Sequence, residues 1–298
     1  MANKFQQAFG KRFRRIITNS PDGVPEWLNQ IENGNDFGLF KPTDAPWVVH
    51  GDLATLVGGI RALLMQALHP GSLAGVAQHS RYEQDPLGRL AGTTKWLTIL
   101  TFGSKEAIAQ ESARVNGMHK QVVGQYEDKP GHKKDYAASD QDLLLWVHIA
   151  FTDSFLIAHE FYGAKTIPNG SDAYVSLWSK AVEPLGLAKA PQTRNELKNT
   201  IQNFDPVLRA DQKTLDVVKF IKKPPLSKAA RFAYAIMFQA AAVTIEPKYL
   251  STLGIKAWPK FIVIPVTKLL LNFMRLALGG ISPLEEAAIA RHNRLRGN

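Results

Sequence analysis

Residues 114–124 read RVNGMHKQVVG and set one histidine, His119, among apolar, small and basic neighbours. At helical spacing His119 shares a face with Val115, Val122 and Val123, the inward side of a helix. An imidazole on such a face finds a hydrogen-bond partner or binds a metal, because an unpaired polar group is costly away from water. The chain has eight histidines. His79 and His148 also fall within apolar helical patterns. His69 stands before Pro70, at a helix end where an imidazole caps carbonyls, and His132 sits in a charged stretch facing solvent. Taken singly, each buried histidine reads as a satisfied core residue; three on neighbouring helices favour a site.

Composition narrows what such a site holds. There is no cysteine, so disulfides, thiolate nucleophiles, zinc–cysteine sites, iron–sulfur clusters and covalent haem attachment are excluded. Any metal needs nitrogen or oxygen ligands. No G-x-x-x-x-G-K-[ST] and no G-x-G-x-x-G occurs. GSLAG (71–75) misplaces the serine of a nucleophile elbow. HEFYG (159–163) lacks the second histidine of a zinc-protease helix, and no Glu-x-x-His pair exists for a di-iron bundle. A single neutral imidazole facing an apolar cavity is how a protein holds non-covalent haem. Arg61, Arg81, Arg89 and Arg114 lie in the same stretch as cationic partners for propionates, although arginines on helices commonly just face water.

The elements that must position these residues are helical. DLATLVGGIRALLMQALH (52–69) is expected to start at Asp52 and end at Pro70–Gly71. A short helix SLAGVAQHSRYEQ stops before Pro86. LGRLAGTTKWLTILTFG ends at Gly103, and Ser104 caps KEAIAQESARVNGMHKQVVG, which ends at Gly124. QYEDKPGHKKDYAAS reads as a charged loop, and QDLLLWVHIAFTDSFLIAHEFYG as a strongly apolar helix ending at Gly163. Further helices follow, with a capping-box pattern at Thr193–Glu196 and a turn at Pro224–Pro225. Alternating strand patterns are scarce and no repeat appears. The expectation is one all-α domain over 51–298 with a loop-rich N-terminal arm over 1–50.

The net charge of +10 admits nucleic acid, an anionic membrane surface or an anionic cofactor. No helix-turn-helix or aromatic–basic motif supports nucleic acid, and none is expected as a partner. Arg14–Arg15 resembles a twin-arginine signal, but no apolar region follows, so no signal peptide and a cytoplasmic location are expected. Phe5, Phe9, Phe13 and Ile16 stand at helical spacing for an amphipathic helix touching a membrane. Residues 261–280 form the longest apolar tract. Pro265, Lys268, Asn272 and Arg275 interrupt it, favouring a buried or interfacial helix over a spanning one.

Several pieces carry a resemblance over roughly residues 50–190: His69–Pro70, His79–Ser80, Arg89-x-x-x-Thr93, Phe102–Gly103, Val115-x-x-x-His119 and Trp146-Val147-His148. In this order and spacing the chain resembles the MpaB-like oxygenase family, which includes latex clearing protein and the mycophenolic acid pathway oxygenase. The resemblance implies helices packed in a globin-like manner around one haem b, with O2 as co-substrate and, in rubber-cleaving members, oxidative C=C cleavage of a polyisoprenoid. His119 matches the axial iron ligand, with His148 as the rival and His79 a further haem-side residue. Arg89 and Thr93 match a distal arginine and threonine, placed to shape the pocket or hold a propionate. Trp96, Phe102 and Phe151 are expected to wall the cavity. Two departures stand out. Gly92 occupies the place of a family lysine, and residues 53–82 contain no counterpart of a family glutamate. The resulting expectation is a haem-dependent oxygenase for an apolar, isoprenoid-like small molecule. The alternative is a non-catalytic haem- or lipid-binding helical protein.

Overall fold

The computed structural model describes residues 4–80, 84–129, 131–279 and 282–297, without the side chains of Lys4, Phe5 and Ala229. Arg81, named above, and the side chain of Phe5 therefore lie outside the described residues. In chain order the helices are α1 (Lys4–Thr18), α2 (Leu28–Glu32), α3 (Ala45–Gly51), α4 (Ala54–Gln66), α5 (Pro70–His79), α6 (Pro86–Phe102) and α7 (Lys105–His119). After a hairpin of β1 (Val123–Lys129) and β2 (His132–Ala137) come α8 (Gln141–Tyr162), α9 (Gly170–Trp178), α10 (Arg194–Asn203), α11 (Gln212–Lys222), α12 (Lys228–Ala242), α13 (Pro247–Thr252), α14 (Lys260–Leu278) and α15 (Pro283–Arg296).

Local chemistry sets many of the boundaries. The Ser104 hydroxyl accepts the Ala107 N–H at 3.2 Å and opens α7 immediately after Gly103 closes α6. Asp85 receives the Gly88 N–H at the start of α6, and Asp211 with Thr214 forms a reciprocal capping box on α11. His69 acts at the other end of the expected junction. Its Nδ1 accepts the N–H groups of Gly71 and Ser72 at 3.2 and 3.3 Å, so it starts α5 instead of closing α4. Pro70 takes the first helical position, where its missing N–H costs nothing.

At the centre α4 packs along α8. Val57, Ile60 and Leu64 on one side and Trp146, Ile149 and Phe155 on the other are buried. Gly58 makes the approach possible: a Cβ there would stand 2.7 Å from the Phe155 ring and 3.2 Å from the Ser154 carbonyl oxygen. Arg61 crosses the same interface, 2.7 Å from the Asp153 carboxylate and 2.8 Å from the Ser154 hydroxyl.

Two readings of the sequence are corrected. QYEDKPGHKKDYAAS is an antiparallel hairpin pairing Gly124 with Tyr136 and Tyr126 with Lys134, and α7 ends at His119 instead of Gly124. The hairpin is held by Tyr126 and Tyr136, which pack with Ala74 and Leu143. Residues 1–50 carry α1, α2 and most of α3, and Ile31, Phe40 and Trp47 are buried in the main core. The last helix clamps this stretch: Arg291 donates to the carbonyls of Ile31 and Phe102, and Arg294 to that of Gly34.

Candidate functional site

A cavity of about 940 Å³ opens between α1, α4, α6, α12 and α14, with α3, α8, α11 and α15 contributing at its edges. Its walls are mostly apolar. Leu56, Ile60 and Leu63 come from α4, Leu90 and Leu97 from α6, Phe151 and Phe155 from α8, and Tyr234 and Met237 from α12. Gly59 also faces it, and a Cβ at 59 would meet nothing within 4 Å. Adjacent glycines on α4 thus serve opposite ends, Gly58 for contact with α8 and Gly59 for open space. Such a concave apolar space with a few convergent polar groups is the usual form of a small-molecule site.

The polar groups come from distant parts of the chain. Arg89 and Thr93 both line the cavity, as one face of a helix requires at i, i+4. Arg89 donates to the Ser80 hydroxyl at 2.7 Å, and Thr93 donates to the Arg89 carbonyl at 3.2 Å. Phe102 and Phe151 line the cavity as expected. Trp96 is not among its lining residues and instead meets Trp178 edge-on.

Sequence reasoning missed two carboxylates and an imidazole that the fold brings to this space. Glu285, from α15, accepts the indole N–H of Trp47 at 3.0 Å, and burial raises its carboxyl above the ordinary range. Asp52 is ion-paired to Arg275 at 2.6 Å, and Arg275 also donates to the Tyr162 carbonyl. His50 is buried, with Nδ1 2.8 Å from the Thr101 hydroxyl and Nε2 2.9 Å from the Tyr174 hydroxyl. The Thr101 hydroxyl spends its own proton on the Leu97 carbonyl. Nδ1–H therefore donates to Thr101, and Nε2 accepts from Tyr174. Burial pushes the His50 pKa down to about 3, keeping the ring neutral. Nothing local in the sequence marks Glu285 or His50, since their partners lie far away in the chain.

The predicted histidines are placed otherwise. His79 is exposed and its Nε2–H donates to the Val123 carbonyl at 2.9 Å, tying α5 to the hairpin. His148 is buried on α8, its pKa lowered to about 4 by burial. Its Nε2 lies 3.5 Å from the Thr152 hydroxyl, whose proton goes to the His148 carbonyl at 2.7 Å. His119 ends the buried stripe Ile108–Glu111–Val115 of α7 and is part-buried, which lowers its pKa. Among the described residues its ring has no hydrogen-bond or ion-pair partner. The pair α6–α7 is pinned by Lys95 and Glu111 at 3.3 Å, and His119 lies two turns beyond Glu111. Gly92, where the family resemblance expects a lysine, has nothing within 4 Å of where its Cβ would be.

These placements test whether a haem fits. His119 has the right donor chemistry, an imidazole whose pKa burial lowers and which has no other partner among the described residues. It is not among the residues lining the cavity, and neither are His79 and His148. His50 is the lining histidine among the described residues, and both of its nitrogens are engaged. The cavity as formed does not present an iron ligand. Among the described residues, no three His, Asp or Glu side chains converge as a metal site.

Helices enclose a large, mostly apolar cavity with an arginine, a threonine and the half-buried carboxylate of Glu285 on its wall, the form of a small-molecule pocket in an all-helical protein. The particular family is set by comparison with known proteins. Residues 47–276 match the family described as ER-bound oxygenase mpaB/B'/Rubber oxygenase, catalytic domain. The match spans well over half of the chain, and the chain belongs to this family. No curated protein and no solved structure matches it.

Proposed function

We propose that the chain is an oxygenase that uses O2 on an apolar, isoprenoid-like small molecule held in the cavity. The observation carrying this reading is the cavity of about 940 Å³ lying largely within the oxygenase-family region, with Arg89 and Thr93 on its wall. The aliphatic and aromatic lining binds the substrate by removing apolar surface from water and excludes water from the reacting bond. Arg89 and Thr93 orient the polar end that oxygenation creates. Glu285, its proton affinity raised by burial, is the group that accepts or returns a proton in the cavity. Haem b is the cofactor the resemblance implies; His119, which lies outside the cavity lining as formed, is the side chain that would hold it, and its iron would supply the O2 chemistry.

The test is an absorption spectrum of protein purified from a haem-replete host, with O2 uptake measured on a prenyl substrate. A Soret band lost or shifted in His119→Ala is expected. Gly59→Leu should fill the cavity and abolish uptake with the band unchanged. Colourless protein that consumes no O2 overturns the reading.

A second reading, a non-catalytic lipid-binding protein, is favoured by the full engagement of His50 at the cavity wall. It predicts co-purifying lipid and no O2 uptake under reducing conditions.

A further inference from the structure

We propose that the outer face of α14, with the basic helix α1 beside it, docks on an anionic lipid surface and passes the apolar substrate from that surface into the cavity. The delivery step rests on the reading of the cavity as an apolar-substrate site; the docking step does not.

The first observation is the two-faced burial of α14. Val263, Thr267, Leu271, Met274 and Ala277 are buried against the fold. The opposite stripe of Phe261, Ile262, Val266, Leu269, Phe273 and Leu276 is exposed, with Phe261 at 79%, Leu269 at 72% and Leu276 at 75%. A surface helix ordinarily carries polar residues on that side, and a contiguous apolar stripe marks an interaction surface. Trp258, 56% exposed just ahead of the helix, is the residue type favoured at a lipid–water boundary.

The second observation is how the helix is fixed. Arg275 bonds Asp52 and the Tyr162 carbonyl, so α14 is held along the protein surface by its inner stripe. Only its outer side is left for lipid, the geometry of an in-plane helix.

Charge names the occupant. Residues 247–284 contain no Asp or Glu, and neither does α1. Lys256, Lys260 and Lys268 are exposed on or beside α14, as are Lys11, Arg12 and Arg15 on α1. The two helices are joined by Gln6, which donates to the Leu276 carbonyl at 2.9 Å, and by Phe9 edge-on to Phe273. Cations framing an apolar stripe suit anionic headgroups over acyl chains. A second copy of the chain would set these cations against one another.

The link to the cavity is Phe273. It is 53% exposed on the outer stripe and also lines the cavity, as does Phe9 packed against it. The same aromatic pair therefore touches both the docking face and the space that receives substrate.

The test is sedimentation of the full chain with vesicles of phosphatidylcholine containing about one quarter phosphatidylglycerol, where binding should fall as salt screens the cations. Leu269→Glu/Leu276→Glu should weaken binding by roughly tenfold or more, with circular dichroism and melting unchanged. Lys260→Gln/Lys268→Gln should weaken it on anionic vesicles and leave binding to pure phosphatidylcholine unchanged. Delivery is read by transfer of a pyrene-labelled apolar alcohol. The double glutamate variant should take it up more slowly from vesicles and at the wild-type rate from detergent micelles. Equal sedimentation of wild type and the double glutamate variant overturns docking. So does a stable lipid-free dimer that Leu269→Glu dissolves. Equal transfer rates from vesicles overturn delivery. Sedimentation needs neither cofactor nor turnover, so its failure leaves the oxygenase reading standing, and failed O2 uptake leaves the docking result standing.

Discussion

α8 and α14 are both long and apolar enough to cross a membrane by length and composition, yet the fold uses them oppositely. Of the most apolar window of α8, 67% is buried within the protein; for α14 the figure is 28%. The polar residues account for the difference. α8 carries His148, Thr152, Asp153 and Ser154, and α4 answers with Arg61 for the carboxylate and hydroxyl and Gly58 for close approach. α14 carries Lys268 in solvent and Arg275 turned inward to Asp52, with exposed apolar residues between them. Apolarity alone does not say what a helix packs against; the partners of its few polar residues do.

The sharpest way to break the α8 side is Arg61→Ala. It strands Asp153 and Ser154 at a largely buried interface, and a stability loss of about 3 kcal/mol or more is expected in urea unfolding. Acid should act next. His148 has a folded pKa of about 4 against an ordinary 6.5. The unfolded chain therefore binds the proton first, and the stability present above pH 6.5 is lost as pH falls toward 4. The loss at pH 4 is on the order of 3 kcal/mol, and His148→Gln should flatten that part of a pH–melting profile. α14 holds no histidine and adds nothing to this slope. Gly58→Ala should cost about 1–3 kcal/mol, read by melting, because the added carbon meets Phe155. The smallest effect belongs to the other helix: Leu269→Glu should move stability by no more than about 0.5 kcal/mol in the absence of lipid.

Helix ends were the most legible part of the fold. Ser104, Gly103 and Gly163 punctuate as their chemistry requires, and Arg89 with Thr93 fell on one cavity-facing side because i, i+4 leaves little choice. The hairpin was illegible because its strands are polar along most of their length and bury little more than Tyr126 and Tyr136, so no two-residue apolar alternation announces it. Glu285 and His50 were illegible for a different reason. Glu285 meets Trp47 across 238 residues of chain, and His50 meets Thr101 and Tyr174 across 51 and 124. Local patterns place His119 on the inward side of α7, but a stripe cannot say which space that side faces.

The clamp formed by Arg291 and Arg294 has a consequence for biosynthesis. The carbonyls of Ile31 and Gly34 wait for donors that leave the ribosome about 260 residues later. The first helices to be made are thus among the last to be locked. A nascent chain halted short of α15 leaves α2 with Ile31, and Trp47, without their closing wall, a species that chaperones and proteases would recognise.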